Sequence, residues 1–392
     1  MTIGTSDPAT ELAAIRPAPP VPPIAAAEHL ARLDRARALA SALGVEALLV
    51  GAGASLRYFT GVSWGATERM VALLLPVSGD PLMICPAFEQ GSLTAELAIP
   101  AAVALWEEDE DPVALVAGAL APGARLALDP LLPFGWGEKV RGTGLAVSDG
   151  AAVIDRCRMI KSAAELACLA AAKAMTLEVQ RRAAAILRPG IAASEVKRFI
   201  DAAHQAIGGG GSFFCAVQFG EATAYPHGLP GDQLLEEDQL VLVDTGCRVH
   251  GYHSDITRTY AFGRVAPEVH ETFAVEREAQ AAAFAAVRPG VTCEAVDAAA
   301  RAVLERAGLG PGYRLPGLPH RTGHGIGLSI HEPAYLVRGD QTPLEPGMCF
   351  SNEPMIVVPE RFGVRLEDHF RVTADGAAWF TPPQESLERP FG

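Results

Sequence analysis

The first half of the chain alternates helical and strand-like hydrophobic patterns. Between His29 and Leu43, apolar residues recur every three or four positions, which predicts an amphipathic helix. Short apolar runs follow and predict strands at 47–50, 70–75, 82–85 and 125–128. Strands alternating with helices are typical of an α/β domain. Proline and alanine dominate residues 16–27 ahead of it, so a flexible or extended arm is predicted over residues 1–27.

The pattern changes near residue 158, where a second domain is predicted to begin. Ser162 and Glu165 have the spacing of a capping box, which predicts the start of a long alanine-rich helix ending near Arg188. The predicted organisation is therefore an arm at 1–27, an α/β domain at 28–158 and a second domain at 159–392.

The second domain contains an internal repeat. Arg188-Pro189-Gly190 and Arg288-Pro289-Gly290 lie 100 residues apart, and each precedes a predicted helix. Leu235 and Leu344 lie 109 residues apart, and the same distance separates Asp244 from Glu353 at the ends of apolar strands. Two similar halves related by a pseudo-twofold axis would bring these two carboxylates to one central site.

Composition narrows the classes of function. The 392 residues are 49% hydrophobic and 20% charged, which indicates a globular protein, and the net charge of −14 disfavours a nucleic-acid partner. No apolar run reaches the roughly 18 residues that span a bilayer, so no membrane partner is expected. No signal peptide is predicted, and we expect a cytoplasmic location. The seven cysteines form no Cys-x-x-Cys pair, which disfavours a disulfide framework or a thiolate zinc site.

Carboxylates at the ends of apolar strands carry the candidate chemistry. A buried carboxylate is costly unless it is paired or bound to metal, and few lysines or arginines lie nearby in the sequence. Four such carboxylates and one histidine would balance the charge of two divalent ions, and these oxygen-rich ligands suit Mn²⁺, Co²⁺ or Zn²⁺. The candidate metal ligands are Asp244, Asp255, His324, Glu353 and Glu367.

In order and spacing, these five residues resemble the motif of the pita-bread metallopeptidases, the family of prolidase, aminopeptidase P and methionine aminopeptidase. The resemblance covers residues 159–380 and implies an α+β catalytic domain with an internal pseudo-twofold repeat and a dinuclear metal centre. The segment Arg57-Tyr-Phe-Thr-Gly61 resembles the creatinase-type N-terminal α/β domain, which favours the proline-directed branch.

The resemblance also implies roles for four further residues. His227 would face the substrate, and His331 would hydrogen-bond the scissile carbonyl. His320 would line a proline pocket or support a metal ligand. Arg365 would lie beside the last ligand, Glu367, and its simpler role would be to hold that ligand in place. The family pattern Glu-Pro-Gly-x-Tyr is not kept, because Val357 stands at the tyrosine position. A mechanism that needs this phenol is therefore not expected.

The expected function is metal-dependent hydrolysis of the Xaa-Pro imide bond in dipeptides, with Glu353 shuttling the proton and His331 stabilising the oxyanion. A dipeptidase must recognise a free carboxylate, for which His227, His320 and Arg365 are the candidate donors. An aminopeptidase P acting on longer peptides is the main alternative. A creatinase-like amidinohydrolase or a non-catalytic binding module fits less well, because the five-ligand set is complete. By resemblance, we also expect a homodimer.

Overall fold

The computed structural model describes residues 3–391, and the chain forms two compact units. One unit comprises Pro23–Arg158, and the other combines the segment up to Pro22 with the chain from Met159 onward. Among the described residues, no helix has the length and apolar character needed to cross a membrane.

The N-terminal segment differs from the arm predicted over residues 1–27. It contains a helix, α1 (Pro8–Ala14), whose first turn is capped by Asp7; the carboxylate accepts the backbone N–H groups of Ala9 and Thr10 at 3.1 and 3.0 Å. Within the second unit, Glu11 forms an ion pair with Arg182 at 2.9 Å. An aspartate followed by proline at the first helical position is a local start signal. The proline-rich residues 16–27 led to the prediction of an arm over the whole segment, although this local signal predicts a helix.

The unit Pro23–Arg158 is an α/β domain built on one six-stranded sheet. Its strand order is β4-β3-β2-β1-β5-β6, with antiparallel pairs at β1/β2 and β2/β3 and parallel pairs elsewhere. The elements are α2 (Ala26–Ala42), β1 (Ala47–Gly51), α3 (Ala54–Thr60), β2 (Ala72–Pro76), β3 (Leu82–Pro86), α4 (Gln90–Glu96), β4 (Ala102–Trp106), α5 (Pro112–Gly118), β5 (Arg125–Leu128), α6 (Phe134–Gly142), β6 (Ala146–Asp149) and α7 (Ala151–Met159).

The other unit packs four long helices with antiparallel sheets. Ser162 and Glu165 form the predicted capping box at the start of the first of these helices. One sheet has the order β11-β8-β7 and another the order β13-β12-β14-β17-β18. The elements are α8 (Ala163–Ala185), α9 (Ala193–Ile207), β7 (Phe214–Phe219), β8 (Gln239–Gly246), β9 (Arg248–Val249), β10 (Tyr252–His253), β11 (Ile256–Phe262), α10 (Pro267–Ala286), α11 (Cys293–Arg306), β12 (Gly323–Gly325), β13 (Glu332–Leu336), β14 (Cys349–Asn352), β15 (Met355–Val358), β16 (Phe362–Arg365), β17 (Asp368–Val372) and β18 (Ala377–Trp379).

The predicted internal repeat is confirmed by matching backbone hydrogen bonds. Gly190 N–H donates to the Leu235 carbonyl at 2.7 Å, and Gly290 N–H donates to the Leu344 carbonyl at 2.8 Å. Both glycines have positive φ, 78° and 87°, a conformation that favours glycine at the turn between two helices. The two halves are therefore built alike, as a helix pair tied to the loop that leads into a ligand-bearing strand.

The extended segment around residues 363–370 is interrupted. It divides into β16 and β17, and the break lies at Leu366 and Glu367. There, the Glu367 N–H leaves its own hairpin and donates to the Thr257 carbonyl of β11 at 3.1 Å. This bond joins the two halves of the unit at the point where their carboxylates meet.

Candidate active site

The first half contributes two aspartates from neighbouring strands. Asp244 lies near the end of β8, where it pairs in register with Thr257 of β11. Asp255 directly precedes β11 and is buried. The antiparallel pairing of apolar strands thus carries both carboxylates to one end of the sheet.

The second half contributes His324 and Glu353. His324 lies in β12, and its Nε2 is 3.1 Å from a carboxylate oxygen of Glu353 and 3.7 Å from one of Asp255. Ser351, which the sequence analysis missed, holds both residues. Its hydroxyl accepts the backbone N–H of His324 at 2.9 Å and donates to the Glu353 carboxylate at 3.1 Å. In extended backbone, residues two apart lie on the same face, so the position of Ser351 two residues before Glu353 could have identified it.

Glu367 and Arg365 are both held by Thr257. The Thr257 hydroxyl donates to Glu367 Oε2 at 2.7 Å and accepts from Arg365 Nε at 3.0 Å. Arg365 Nη2 also forms an ion pair with Asp244 at 2.5 Å. The expectation of few counter-charges therefore needs correction, because this buried guanidinium already neutralises one of the four carboxylates.

The remaining negative charge is poorly compensated. Burial raises the pKa of Asp255 well above its ordinary value, and the neighbouring Glu367 and Asp244 carboxylates raise it further. The pKa of Glu367 is raised well above its ordinary value for the same reasons, with Glu353 as its strongest carboxylate neighbour. Burial also acts to raise the pKa of Glu353, but the hydrogen bond and charge of His324 outweigh it and bring the value to about 2. Such a cluster favours a bound cation.

The donor atoms themselves fit a divalent metal ion. Asp244 Oδ1 and Glu367 Oε1 are buried without a hydrogen-bond partner among the described residues. His324 Nδ1 lies 3.0 Å from the Gly325 carbonyl. When the imidazole is neutral, this contact keeps its proton on Nδ1 and leaves the Nε2 lone pair facing the carboxylates as a metal ligand atom. Ligand atoms within 4.8 Å of one another form three overlapping groups: Asp244 with Asp255 and Glu367, His324 with Glu353 and Glu367, and Asp255 with His324 and His331.

All nine predicted site residues line one cavity of about 500 Å³. Its wall combines the candidate ligands with three further histidines, two arginines and apolar side chains. The lining residues are Phe214, Pro226, His227, Asp244, Asp255, Pro319, His320, Arg321, His324, Ile330, His331, Glu353, Arg365 and Glu367.

The three cavity histidines outside the five predicted ligands lie at different depths. His227 and His331 are exposed at the cavity, whereas His320 is half-buried. Partial burial and the neighbouring charges of His324 and Arg321 lower the pKa of His331 to about 4, so it is neutral at neutral pH. His320 Nδ1 lies 2.7 Å from the Arg321 carbonyl, and burial lowers its pKa.

Arg321 is a charged cavity residue that the sequence analysis missed. Its guanidinium lies 4.5 Å from the centre of the Tyr335 ring and forms no ion pair with any carboxylate of residues 3–391. Its position three residues before His324 was a usable signal, because a cation close to a ligand strand is well placed to reach the same cavity. Val357, in contrast, is buried and pairs with Gly317 in the backbone, so it does not line the cavity.

A buried carboxylate–histidine cluster, joining two halves of a repeated α+β unit and opening into a cavity, defines a metallopeptidase site. The chain belongs to metallopeptidase family M24, whose model matches residues 166–374, and residues 32–160 match the Creatinase/Prolidase N-terminal domain. It is therefore a metal-dependent peptidase with a divalent metal cofactor.

Individual relatives extend over most of the chain. The "Probable dipeptidase PepE" of Mycobacterium bovis is 38% identical over 353 residues, which cover 88% of this chain and 92% of the relative. The "Xaa-Pro dipeptidase" of Lactobacillus helveticus is 33% identical over 359 residues, which cover 85% and 92%. The crystal structure of dipeptidase PepE from Mycobacterium ulcerans superimposes with a TM-score of 0.87 at 38% identity, covering 93% of this chain and 99% of that one.

Proposed function

We propose that this protein hydrolyses the Xaa-Pro bond of dipeptides, and that Arg321 recognises the free carboxylate of the proline. The observation that carries the proposal is the pairing state of the two arginines at the cavity. Arg365 is already bound to Asp244 and Thr257, whereas the Arg321 guanidinium has no carboxylate partner among the described residues. A dipeptide supplies a carboxylate directly after proline, and a longer peptide does not. The dipeptidase relatives support the same choice.

The metal centre is assigned in the same proposal. Asp244, Asp255, His324, Glu353 and Glu367 would hold two divalent ions, for which Mn²⁺, Co²⁺ and Zn²⁺ are the candidates. Such ions lower the pKa of water and polarise a carbonyl group when they are bound.

The protein's own groups divide the remaining chemistry. Glu353 takes the proton of the attacking water and delivers it to the proline nitrogen as the C–N bond breaks. His331 is neutral at neutral pH and donates an N–H to the developing oxyanion, an interaction typically worth about 3 kcal/mol. His227 and His320 contact the proline side of the substrate, and Arg365 holds Asp244 and Glu367 in place through its direct ion pair and through Thr257.

Three substrates test the proposal: Ala-Pro, Ala-Pro-NH₂, which has the same length without the charge, and Ala-Pro-Gly-Gly. The metal-loaded protein should cleave Ala-Pro with the highest kcat/KM, and chelation should abolish the activity until Mn²⁺ or Co²⁺ is restored. Arg321→Met should lower kcat/KM for Ala-Pro about 10- to 100-fold, the range of a charged hydrogen bond, and leave the other two substrates nearly unchanged.

Arg314→Met is the matched control, because this exposed arginine lies outside the cavity. Equal or better cleavage of Ala-Pro-NH₂ and Ala-Pro-Gly-Gly by the wild type would favour the aminopeptidase alternative. If Arg321→Met keeps the wild-type preference for Ala-Pro, the proposed role of Arg321 in recognising the carboxylate is wrong.

A further inference from the structure

The internal repeat extends to two buried glutamines that face the ligand-bearing strands. Gln180 lies on α8 and Gln280 on α10, and they are 100 residues apart, as are Arg188 and Arg288. Their side chains are 1% and 2% exposed. They therefore occupy equivalent places in the two halves.

In the first half, Gln180 bridges the two strands at the aspartates. Its Nε2 donates to the carbonyl of Val243 at 3.4 Å and to the carbonyl of Ile256 at 2.5 Å. Val243 directly precedes Asp244, and Ile256 directly follows Asp255. A single side-chain amide thus joins the backbone beside both candidate ligands.

In the second half, Gln280 does the same at the glutamates. Its Nε2 donates to the carbonyl of Asn352 at 3.2 Å and to that of Leu366 at 3.3 Å. These residues directly precede Glu353 and Glu367. Gln280 also reaches Asp368 Oδ2 at 3.2 Å, and the side chain of Asn352 donates back to the Gln280 carbonyl at 2.9 Å. The contact lies where the strand ladder is interrupted between β16 and β17.

We infer that Gln180 and Gln280 are positioning residues that set the spacing of the four carboxylate ligands and thereby the affinity for the metal. Backbone carbonyls only accept hydrogen bonds, and each glutamine amide supplies donors to two of them from outside the strands. Without the amide, these carbonyls lose a buried donor, and the movement that compensates for the loss is passed to the adjacent ligand residue. Ligand sets tolerate displacements of only about 0.5 Å, and losing an outer hydrogen-bond partner commonly weakens metal binding 10- to 100-fold.

The inference rests on the ligand set of the proposed function, and its test measures metal binding rather than turnover. Gln180→Met and Gln280→Met keep the length of the side chain and remove the donor. In the full chain, the Kd for Mn²⁺, measured by competition with a chromophoric chelator, should rise about tenfold in each variant, the lower end of that range. The visible absorption spectrum of bound Co²⁺ should change as well.

Gln180→Glu and Gln280→Glu supply one donor when the introduced carboxyl is protonated, so an intermediate Kd is expected. These variants replace the methionine variants in the test if the latter do not fold. Met175→Ala on α8 and Val269→Ala on α10 are controls, because both remove buried apolar atoms and leave every carbonyl bond in place.

Kd values within twofold of wild type in the glutamine variants would overturn the inference. An equal rise in the controls would also overturn it, since general loosening would then explain the effect. Absence of Mn²⁺ binding in the wild type would instead refute the metal assignment of the proposed function.

Discussion

Replacing Arg258 with methionine should destabilise the catalytic unit more than any surface substitution. Arg258 lies on β11 and is fully buried, and its guanidinium uses all five N–H donors. Nη2 forms an ion pair with Asp368 at 2.7 Å, and both side chains have 0% exposure. The other bonds, at 3.1 to 3.2 Å, reach the carbonyls of Thr257, Glu367, Pro382 and Pro390.

The magnitude follows from what the substitution leaves behind. Removing one partner of a buried ion pair typically costs about 3–5 kcal/mol, because the other charge remains buried without compensation. Asp368 keeps hydrogen bonds from Gln280 and Thr381, both at 3.2 Å, which reduces the cost, whereas the abandoned carbonyls add to it. We expect a loss of about 4 kcal/mol. At about 2–4 °C per kcal/mol for a domain of this size, Tm should fall by about 10 °C.

Urea denaturation followed by circular dichroism, with thermal scans in parallel, measures the loss. Arg258→Met/Asp368→Leu should recover much of it, because a buried ion pair replaced by apolar side chains is often nearly neutral. Arg264→Met at an exposed site is the control and should change the free energy of unfolding by less than about 0.5 kcal/mol. A loss below about 1 kcal/mol in Arg258→Met would show that the pair is not a major stabilising contact.

Two further predictions concern catalysis and acid stability. Glu353→Gln should lower kcat at least 100-fold at matched metal content, since general acid–base catalysis contributes about 10²–10⁴; a loss within tenfold would contradict the proton-shuttle role. Burial lowers the pKa of His204 to about 4 from 6.5, so the unfolded chain binds its proton first and stability falls as the pH drops below 6.5. In metal-free protein, the wild type should therefore lose about 2 kcal/mol more stability than His204→Gln between pH 7 and pH 5. An equal loss in the two proteins would contradict this.

Local patterns and motif order account for what the sequence predicted well. The Arg-Pro-Gly turns and the spacing of Asp244 and Glu353 revealed the repeat, because both features are local signals that recur at a fixed distance. The capping box at Ser162 was correctly predicted for the same reason. The helix after Asp7 could have been predicted too, since its start signal is equally local.

Contacts between distant segments were beyond sequence reasoning. Arg365 was expected beside the last ligand, but its ion pair is with Asp244, 121 residues earlier in the chain. Arg258 and Asp368 are 110 residues apart, and neither side chain differs in type from many exposed arginines and aspartates. Only the fold decides which charges meet, so residue type and local spacing could not identify these pairs.

The two halves of the catalytic unit contribute unequally to the cavity, and this asymmetry has a consequence for specificity. Both halves supply carboxylates, whereas Arg321 and His331 come from one stretch of the second half. That stretch is anchored separately: Glu332 forms a buried ion pair with Lys161 at 2.8 Å and accepts the Ser329 N–H at 3.0 Å. Because Arg321 forms no ion pair with a candidate ligand among the described residues, its substitution can alter substrate choice while the contacts that hold those ligands stay in place.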